Sequence, residues 1–135
     1  MCIRDRTSAD PRFDAAGTFI GSSFLYATAR DFARFGELHL RDGHWGDQRI
    51  LPEGWVDLTR TPVGIEVPEL NDYGLHWWLW RDEPHVFGCH GYEGQFIAVD
   101  PTRDLVGVRL GKTPEPDTAE ARHWLRDVLR CFPTV

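Results

Sequence analysis

The sequence predicts an α+β fold in which an antiparallel sheet is packed with helices. Three observations predict it. Apolar residues recur at helical spacing in one segment of the first half and again at the end of the chain. Between them lie short apolar runs separated by turns that contain Gly, Pro and Asp. The length of 135 residues is that of one domain, so we expect a single core.

Two helices are predicted before the sheet. Thr28 followed by Asp31 is typical of an N-cap with an acidic first turn, and apolar residues recur from there to Leu40. A helix of about 14 residues is therefore expected before the next glycine. Pro52 suits the first position of a second, short helix that ends near Arg60. The proline-bearing stretch 62–71 predicts an irregular loop.

The period of the apolar pattern changes to two at Tyr73. Residues 73–80 therefore predict one strand with apolar side chains on both faces. Three further strands are predicted over residues 86–90, 96–99 and 105–110. The segment 100–104 contains Pro and Asp and suits a tight reversal between the last two. The simplest topology is an antiparallel meander.

A terminal helix is predicted to begin at a capping box made by Asp117 and Glu120. Its apolar stripe, which must lie on the sheet, consists of Ala121, Trp124, Leu125, Val128, Leu129 and Phe132. Strands that are apolar on both faces belong between two covering layers, and the chain offers few helices. We therefore expect part of the layers that cover the two faces of the sheet to be missing.

The large aromatic side chains are expected in the core. On the predicted strand these are Trp77, Trp78 and Trp80, and on the helices Phe32, Phe35 and Trp124. One of the strand tryptophans could also form part of an apolar wall for a substrate.

Composition excludes several function classes. The net charge is -6 and no basic cluster contains interleaved aromatics, which argues against a nucleic-acid partner. No apolar run approaches the roughly 20 residues of a membrane helix. The cysteines Cys2, Cys89 and Cys131 form no Cys-x-x-Cys pair, so free thiols are expected. His85, Cys89 and His90 match no metal-ligand spacing, and no cofactor is implied.

The segment 88–95 (GCHGYEGQ) carries the most chemical information. Three glycines within seven residues let a substrate approach the backbone, and they let N–H groups point outward toward a developing oxyanion. The same segment also fits a glycine-rich hairpin in which His90 is incidental. Taken alone, it leaves both interpretations open.

The order of several segments favours the first interpretation. The chain resembles the β-lactamase-related serine hydrolases, especially the branch of esterases and 6-aminohexanoate-dimer hydrolases. The resemblance rests on residues 21–31 (GSSFLYATARD), 34–36 (RFG), 51–56 (LPEGWV), 73–78 (YGLHWW) and 90–95 (HGYEGQ). It implies that residues 17–135 are the C-terminal part of a β-lactamase/transpeptidase-like fold. Residues 1–16 then form a leader and irregular segment, of which 1–6 resemble a translated adapter.

The resemblance also implies a site. In this family a strand bearing Lys-Thr-Gly, or a His-Gly variant of it, lines the pocket opposite the nucleophile. Cys89 stands in the Lys place, His90 in the Thr place and Gly91 in the Gly place, a departure that argues against classical β-lactam recognition. The backbone N–H of Tyr92 is then the second oxyanion donor, and His90 contacts the substrate or the proton-transfer network. Further candidates at this site are Cys89, Gly94 and Gln95.

The two other motifs of the family, Ser-x-x-Lys and Tyr-x-Asn, do not occur in the sequence. Its one lysine, Lys112, follows Arg109 by three residues, and no tyrosine has Asn two positions later. We therefore expect the chain alone to be inactive. The protein it belongs to is expected to cleave a small-molecule ester or amide through an acyl-enzyme. The alternative is a non-enzymatic α+β binding domain that uses an aromatic surface.

Overall fold

The computed structural model describes residues 8–21, 23–64 and 71–135. Its helices are α1 (Ala29–Leu40), α2 (Trp55–Thr59) and α3 (Thr118–Arg130). Its first strands are β1 (Asp10–Pro11), β2 (Leu25–Tyr26), β3 (His44–Trp45) and β4 (Gln48–Arg49). The others are β5 (Asn71–Tyr73), β6 (Trp78–Trp80), β7 (Phe87–Gly91), β8 (Gln95–Asp100) and β9 (Leu105–Arg109). The predicted α+β architecture is confirmed.

The last five strands form one sheet in the order β5-β6-β7-β8-β9, and each is antiparallel to the next. The predicted meander is therefore confirmed. In its centre, β7 and β8 pair from Phe87 opposite Val99 to Gly91 opposite Gln95. This pairing fixes the position of the turn between the two strands, where the sequence places the candidate site.

One face of the sheet is covered by α3. Because side chains alternate along a strand, Phe96 and Ala98 of β8 point to the same face. There they pack with Trp80 and with Leu125 and Leu129 of α3. The predicted docking of the terminal helix on the sheet is thus confirmed.

The opposite face is covered by α1 and α2. Val99 packs there with Val56 of α2 and Trp77, and Phe35 of α1 lies against the same cluster. Both faces of β8 are therefore covered from within the chain. The expectation of a missing layer is wrong at this strand, because α1 and α3 supply one layer each.

The first helix begins as the sequence predicts. The Thr28 hydroxyl accepts a hydrogen bond from the Asp31 N–H at 3.2 Å, and Thr28 has extended backbone angles. The Asp31 carboxylate is 1% exposed and accepts hydrogen bonds from Ser8 and Arg34. Ser8 thereby ties the segment that precedes β1 to the start of α1.

The single strand predicted over 73–80 is wrong, since the chain turns between β5 and β6. The Gly74 N–H donates to the Trp77 carbonyl at 2.8 Å, and His76 adopts a left-handed φ of 68°. The Leu75 N–H donates to the Thr59 carbonyl at 2.9 Å. A Cβ on Gly74 would lie 2.1 Å from that carbonyl oxygen, so a contact with α2 sets the turn. Apolar alternation alone does not reveal such a contact.

Three further expectations are corrected. Helix α2 begins at Trp55 rather than Pro52, because Gly54 before it takes a left-handed φ of 73°. The capping box fails, since the Asp117 side chain makes no cap hydrogen bond and its backbone is helical rather than extended. Trp124 is 57% exposed rather than buried, because the face of α3 on the sheet is narrower than the apolar stripe.

Part of the sequence prediction lies outside the described residues. This holds for residues 1–6 and for most of the predicted loop 62–71, whose last residue opens β5. Within the described ranges, no helix has the length and apolar character needed to cross a membrane.

Candidate active site

A three-residue turn, Tyr92 to Gly94, joins β7 to β8. Glu93 and Gly94 have left-handed φ angles of 54° and 79°. A Cβ on Gly94 would lie 3.0 Å from Nη1 of Arg109. The left-handed conformation therefore favours glycine at this position.

The turn is braced by the segment that follows β9. The Gln95 side chain pairs with the backbone of Gly111, accepting from its N–H at 3.0 Å and donating to its carbonyl. Arg109 donates to the Gly94 carbonyl, and the Thr113 N–H donates to the Glu93 carbonyl at 3.0 Å. Gln95, Arg109 and Thr113 thus hold the turn in place.

Tyr92 stands at the tip of this braced turn. Its residue surface is 84% exposed. Its backbone N–H finds no acceptor among the residues that the structure describes. A fixed N–H without an internal partner can donate to a ligand at no cost to the fold.

His90 lies two residues before Tyr92, on the face of the sheet that α3 covers. The indole N–H of Trp80 lies 3.1 Å from its Nε2. The Trp78 ring stacks on the imidazole at a centroid distance of 5.0 Å and an interplanar angle of 8°. Phe96 meets it edge-on at 5.0 Å. Aromatic contacts therefore fix the orientation of the His90 ring.

The surroundings of His90 disfavour its charged form. Burial lowers the pKa of the imidazole to about 3, and the positive charge of Arg122 acts in the same direction. The Arg122 guanidinium lies over the Trp80 ring at 5.1 Å and pairs with Asp82 at 3.0 Å. At neutral pH the site thus holds an uncharged imidazole.

Cys89 points to the other face, since neighbouring residues of a strand alternate. It packs against the cluster that contains Val56, Trp77 and Phe87. Burial raises the pKa of its thiol to about 12. The structure therefore separates Cys89 from His90 and leaves it without thiolate character.

Sequence reasoning missed the partners of His90. Trp78 and Trp80 are predicted as core residues or as part of an apolar substrate wall, and the prediction connects neither them nor Arg122 with His90. The period-two spacing of Trp78 and Trp80 on β6 was a usable signal for their contact with His90. It places both rings on one face of the strand beside β7. The contact of Arg122 with Trp80 depends on how α3 docks, which no local pattern shows.

Two other features do not join this site. A cleft of about 550 Å³ is lined by residues such as Arg60, Arg81 and His85, but by neither His90 nor Tyr92. We assign this cleft no role. Over the described part of the chain, no group of three or more His, Cys, Asp or Glu side chains is arranged to hold a metal ion.

A match to a family model and a similarity to a solved structure both place the chain among the β-lactamase-related serine hydrolases. It belongs to the beta-lactamase family, whose model matches residues 3–131. A curated relative, the 6-aminohexanoate-dimer hydrolase of Paenarthrobacter ureafaciens, is 31% identical over 139 residues, which cover 90% of this chain.

A solved structure of similar fold supports the same family assignment. It comes from Bacillus anthracis and is described as a candidate 6-aminohexanoate-dimer hydrolase. It superposes with a TM-score of 0.74 at 27% identity and covers 91% of this chain. The chain spans 34% of the length of each of these two relatives.

Proposed function

We propose that this chain is the C-terminal part of a serine hydrolase that cleaves ester or amide bonds through an acyl-enzyme. In this proposal the chain supplies the strand that binds substrate and the oxyanion, and the nucleophile and its base lie outside it. The substrate is a small-molecule ester or amide. The name of the Paenarthrobacter relative, a hydrolase of a 6-aminohexanoate dimer, supports this substrate class.

The observation that carries the proposal is the N–H of Tyr92, which has no acceptor among the described residues. Attack on an acyl carbon moves negative charge onto its oxygen, and preorganised N–H donors stabilise that charge in the transition state. The Tyr92 N–H sits on a turn whose neighbours Glu93 and Gly94 are both held by backbone carbonyl contacts. Such a donor needs no reorganisation during the reaction.

His90 is proposed to contact the substrate beside this donor, and Gly91 lets the substrate approach the backbone. If His90 meets charge that grows only in the transition state, His90→Ala lowers kcat more than it raises KM. The expected loss is about 2 to 4 kcal/mol, or roughly 30- to 1000-fold in rate. A purely packing role predicts lower stability with unchanged kcat per titrated active site.

Cys89 does not replace the missing nucleophile. A nucleophilic thiol needs a depressed pKa and access to substrate. Cys89 has a pKa raised to about 12 and lies on the opposite face from His90. The chain alone is therefore expected to have no turnover.

A fluorophosphonate label that reacts with active-site serines tests the proposal. The 135-residue chain should show neither ester nor amide turnover and no stoichiometric label. The protein restored by its upstream reading frame should show both, with the label on a serine of the added part. Stoichiometric labelling of a serine in this chain would overturn the proposed division of the site.

One observation favours the binding-domain alternative. Four aromatic side chains near the start of the described chain are more than half exposed: Phe13, Phe19, Phe24 and Tyr26. Exposed aromatic groups of this kind can mark a surface for a partner. An upstream frame without Ser-x-x-Lys would favour this alternative over the hydrolase.

A further inference from the structure

We infer that Trp80 is a positioning residue that holds His90 in a single tautomer, with its hydrogen on Nδ1. His90 then offers the substrate a hydrogen-bond donor rather than a lone pair. The inference rests on the proposed function for its catalytic consequence. The tautomer itself is a property of the folded chain.

The chemistry of the two rings sets the tautomer. An indole N–H can only donate a hydrogen bond. It lies 3.1 Å from Nε2 of His90, so that nitrogen must present its lone pair. A neutral imidazole carries one hydrogen, which then resides on Nδ1.

The same contact opposes protonation. An imidazolium has hydrogens on both nitrogens, and its Nε2–H would face the Trp80 N–H, donor against donor. Arg122 reaches this region from α3 and lies over the Trp80 ring with its positive charge. Asp82 pairs with that guanidinium and lessens its field without removing it. Burial of the imidazole and the positive charge of Arg122 therefore act together with the hydrogen bond to keep His90 uncharged.

The stack prevents the ring from exchanging its two nitrogens. Trp78 covers one side of the imidazole in a nearly parallel stack, and Phe96 meets its edge. A ring flip would have to break these contacts and the bond to Trp80 at once. Trp80 is 1% exposed, so water cannot readily replace His90 as its partner.

A consequence for the substrate follows. In the described part of the chain, Nδ1 of His90 has no hydrogen-bond partner. A substrate group that contacts it must be an acceptor, such as the oxygen of an acyl carbonyl or a carboxylate. His90 is then unsuited to act as a general base, since its one lone pair is engaged by Trp80.

The tautomer can be read from the imidazole nitrogen resonances of ¹⁵N-histidine-labelled protein. We expect a protonated Nδ1 and an unprotonated Nε2 for His90, unchanged through the range near pH 6.5 in which a free imidazole titrates. A His90 that is charged at pH 7, or that carries its hydrogen on Nε2, would overturn the inference. This measurement needs only the folded wild-type protein.

A matched pair of variants isolates Trp80. Replacing it by benzothienylalanine exchanges the N–H for sulfur at nearly constant volume and should abolish the single tautomer. Trp78→Phe keeps an aromatic ring on His90 and should leave the tautomer intact. The inference fails if the benzothienylalanine protein shows the wild-type tautomer.

Activity provides the separate test of the consequence. In the restored hydrolase, His90→Asn places an amide N–H near the position of Nδ1 and should keep kcat within about tenfold. His90→Gln places its amide near Nε2 and should lower kcat about 100-fold or more. A wild-type tautomer with equal activities would refute the proposed role of His90 and leave the role of Trp80 standing. A wrong tautomer would refute the role of Trp80 whatever the activities.

Discussion

Gly36 of α1 lies directly against Val106 of β9. A Cβ on Gly36 would approach Cγ1 of Val106 to 2.5 Å. This contact lets α1 lie close to the sheet. It also explains a glycine in the middle of a helix, where glycine costs about 1 kcal/mol relative to alanine.

Gly36→Ala should therefore destabilise the fold despite its better helix propensity. We expect a loss of about 1 to 3 kcal/mol in the free energy of unfolding, because the added methyl group overpacks the contact. Chemical denaturation measures it. Val106→Ala in the same chain should remove most of the loss in a double-mutant cycle. Additive effects of the two substitutions would contradict the assignment of the clash to Val106.

Leu129 and Trp124 lie on the same helix and should respond in opposite ways. Leu129 is 2% exposed and packs on Gly107, so Leu129→Ala should cost about 2 to 5 kcal/mol. Trp124 is 57% exposed, and Trp124→Ala should cost less than about 1 kcal/mol. A larger loss from Trp124→Ala than from Leu129→Ala would contradict the orientation of α3.

Asp31 should make stability depend on acid pH. Its hydrogen bond from Ser8, aided by Arg34 and Thr28, holds the pKa of its carboxyl at about 2, below the usual 3.8. Since the folded pKa is depressed, the contribution is present above the unfolded value and is lost as pH falls from about 4 to about 2. Asp31→Asn should remove this part of the dependence and lower the denaturation midpoint at pH 7. Equal pH profiles of stability for the wild-type protein and Asp31→Asn would contradict this assignment.

The two described cysteines should differ in reactivity. Cys131 is exposed, whereas burial raises the pKa of the Cys89 thiol to about 12. At pH 8 only on the order of 1 in 10,000 Cys89 thiols is then ionised. Iodoacetamide should alkylate Cys131 in the folded chain and Cys89 only after unfolding, as peptide mapping can show. Equal rates at both positions would contradict the buried placement of Cys89.

The sequence predicted the features that depend on local pattern. Period-two and helical spacing located the meander and α1, and the glycines of 88–95 located the turn at Tyr92. Features that depend on contacts distant in sequence were missed. The turn between β5 and β6 exists because Gly74 meets Thr59, and the pKa of His90 is lowered by burial and, in addition, by Arg122 of α3. Neither contact leaves a periodic trace in the sequence.

The central claim is that the Tyr92 N–H stabilises the oxyanion, and two substitutions at this position test it. Tyr92→Pro removes the N–H, whereas Tyr92→Ala removes the side chain and keeps the N–H. Gly91 before it tolerates a following proline better than other residues do.

The decisive measurement is kcat per titrated active site in the restored hydrolase. We predict a fall of about 100- to 1000-fold for Tyr92→Pro. Tyr92→Ala should stay within about threefold of wild type, because the side chain is largely exposed. A folded Tyr92→Pro protein with wild-type kcat would contradict the claim.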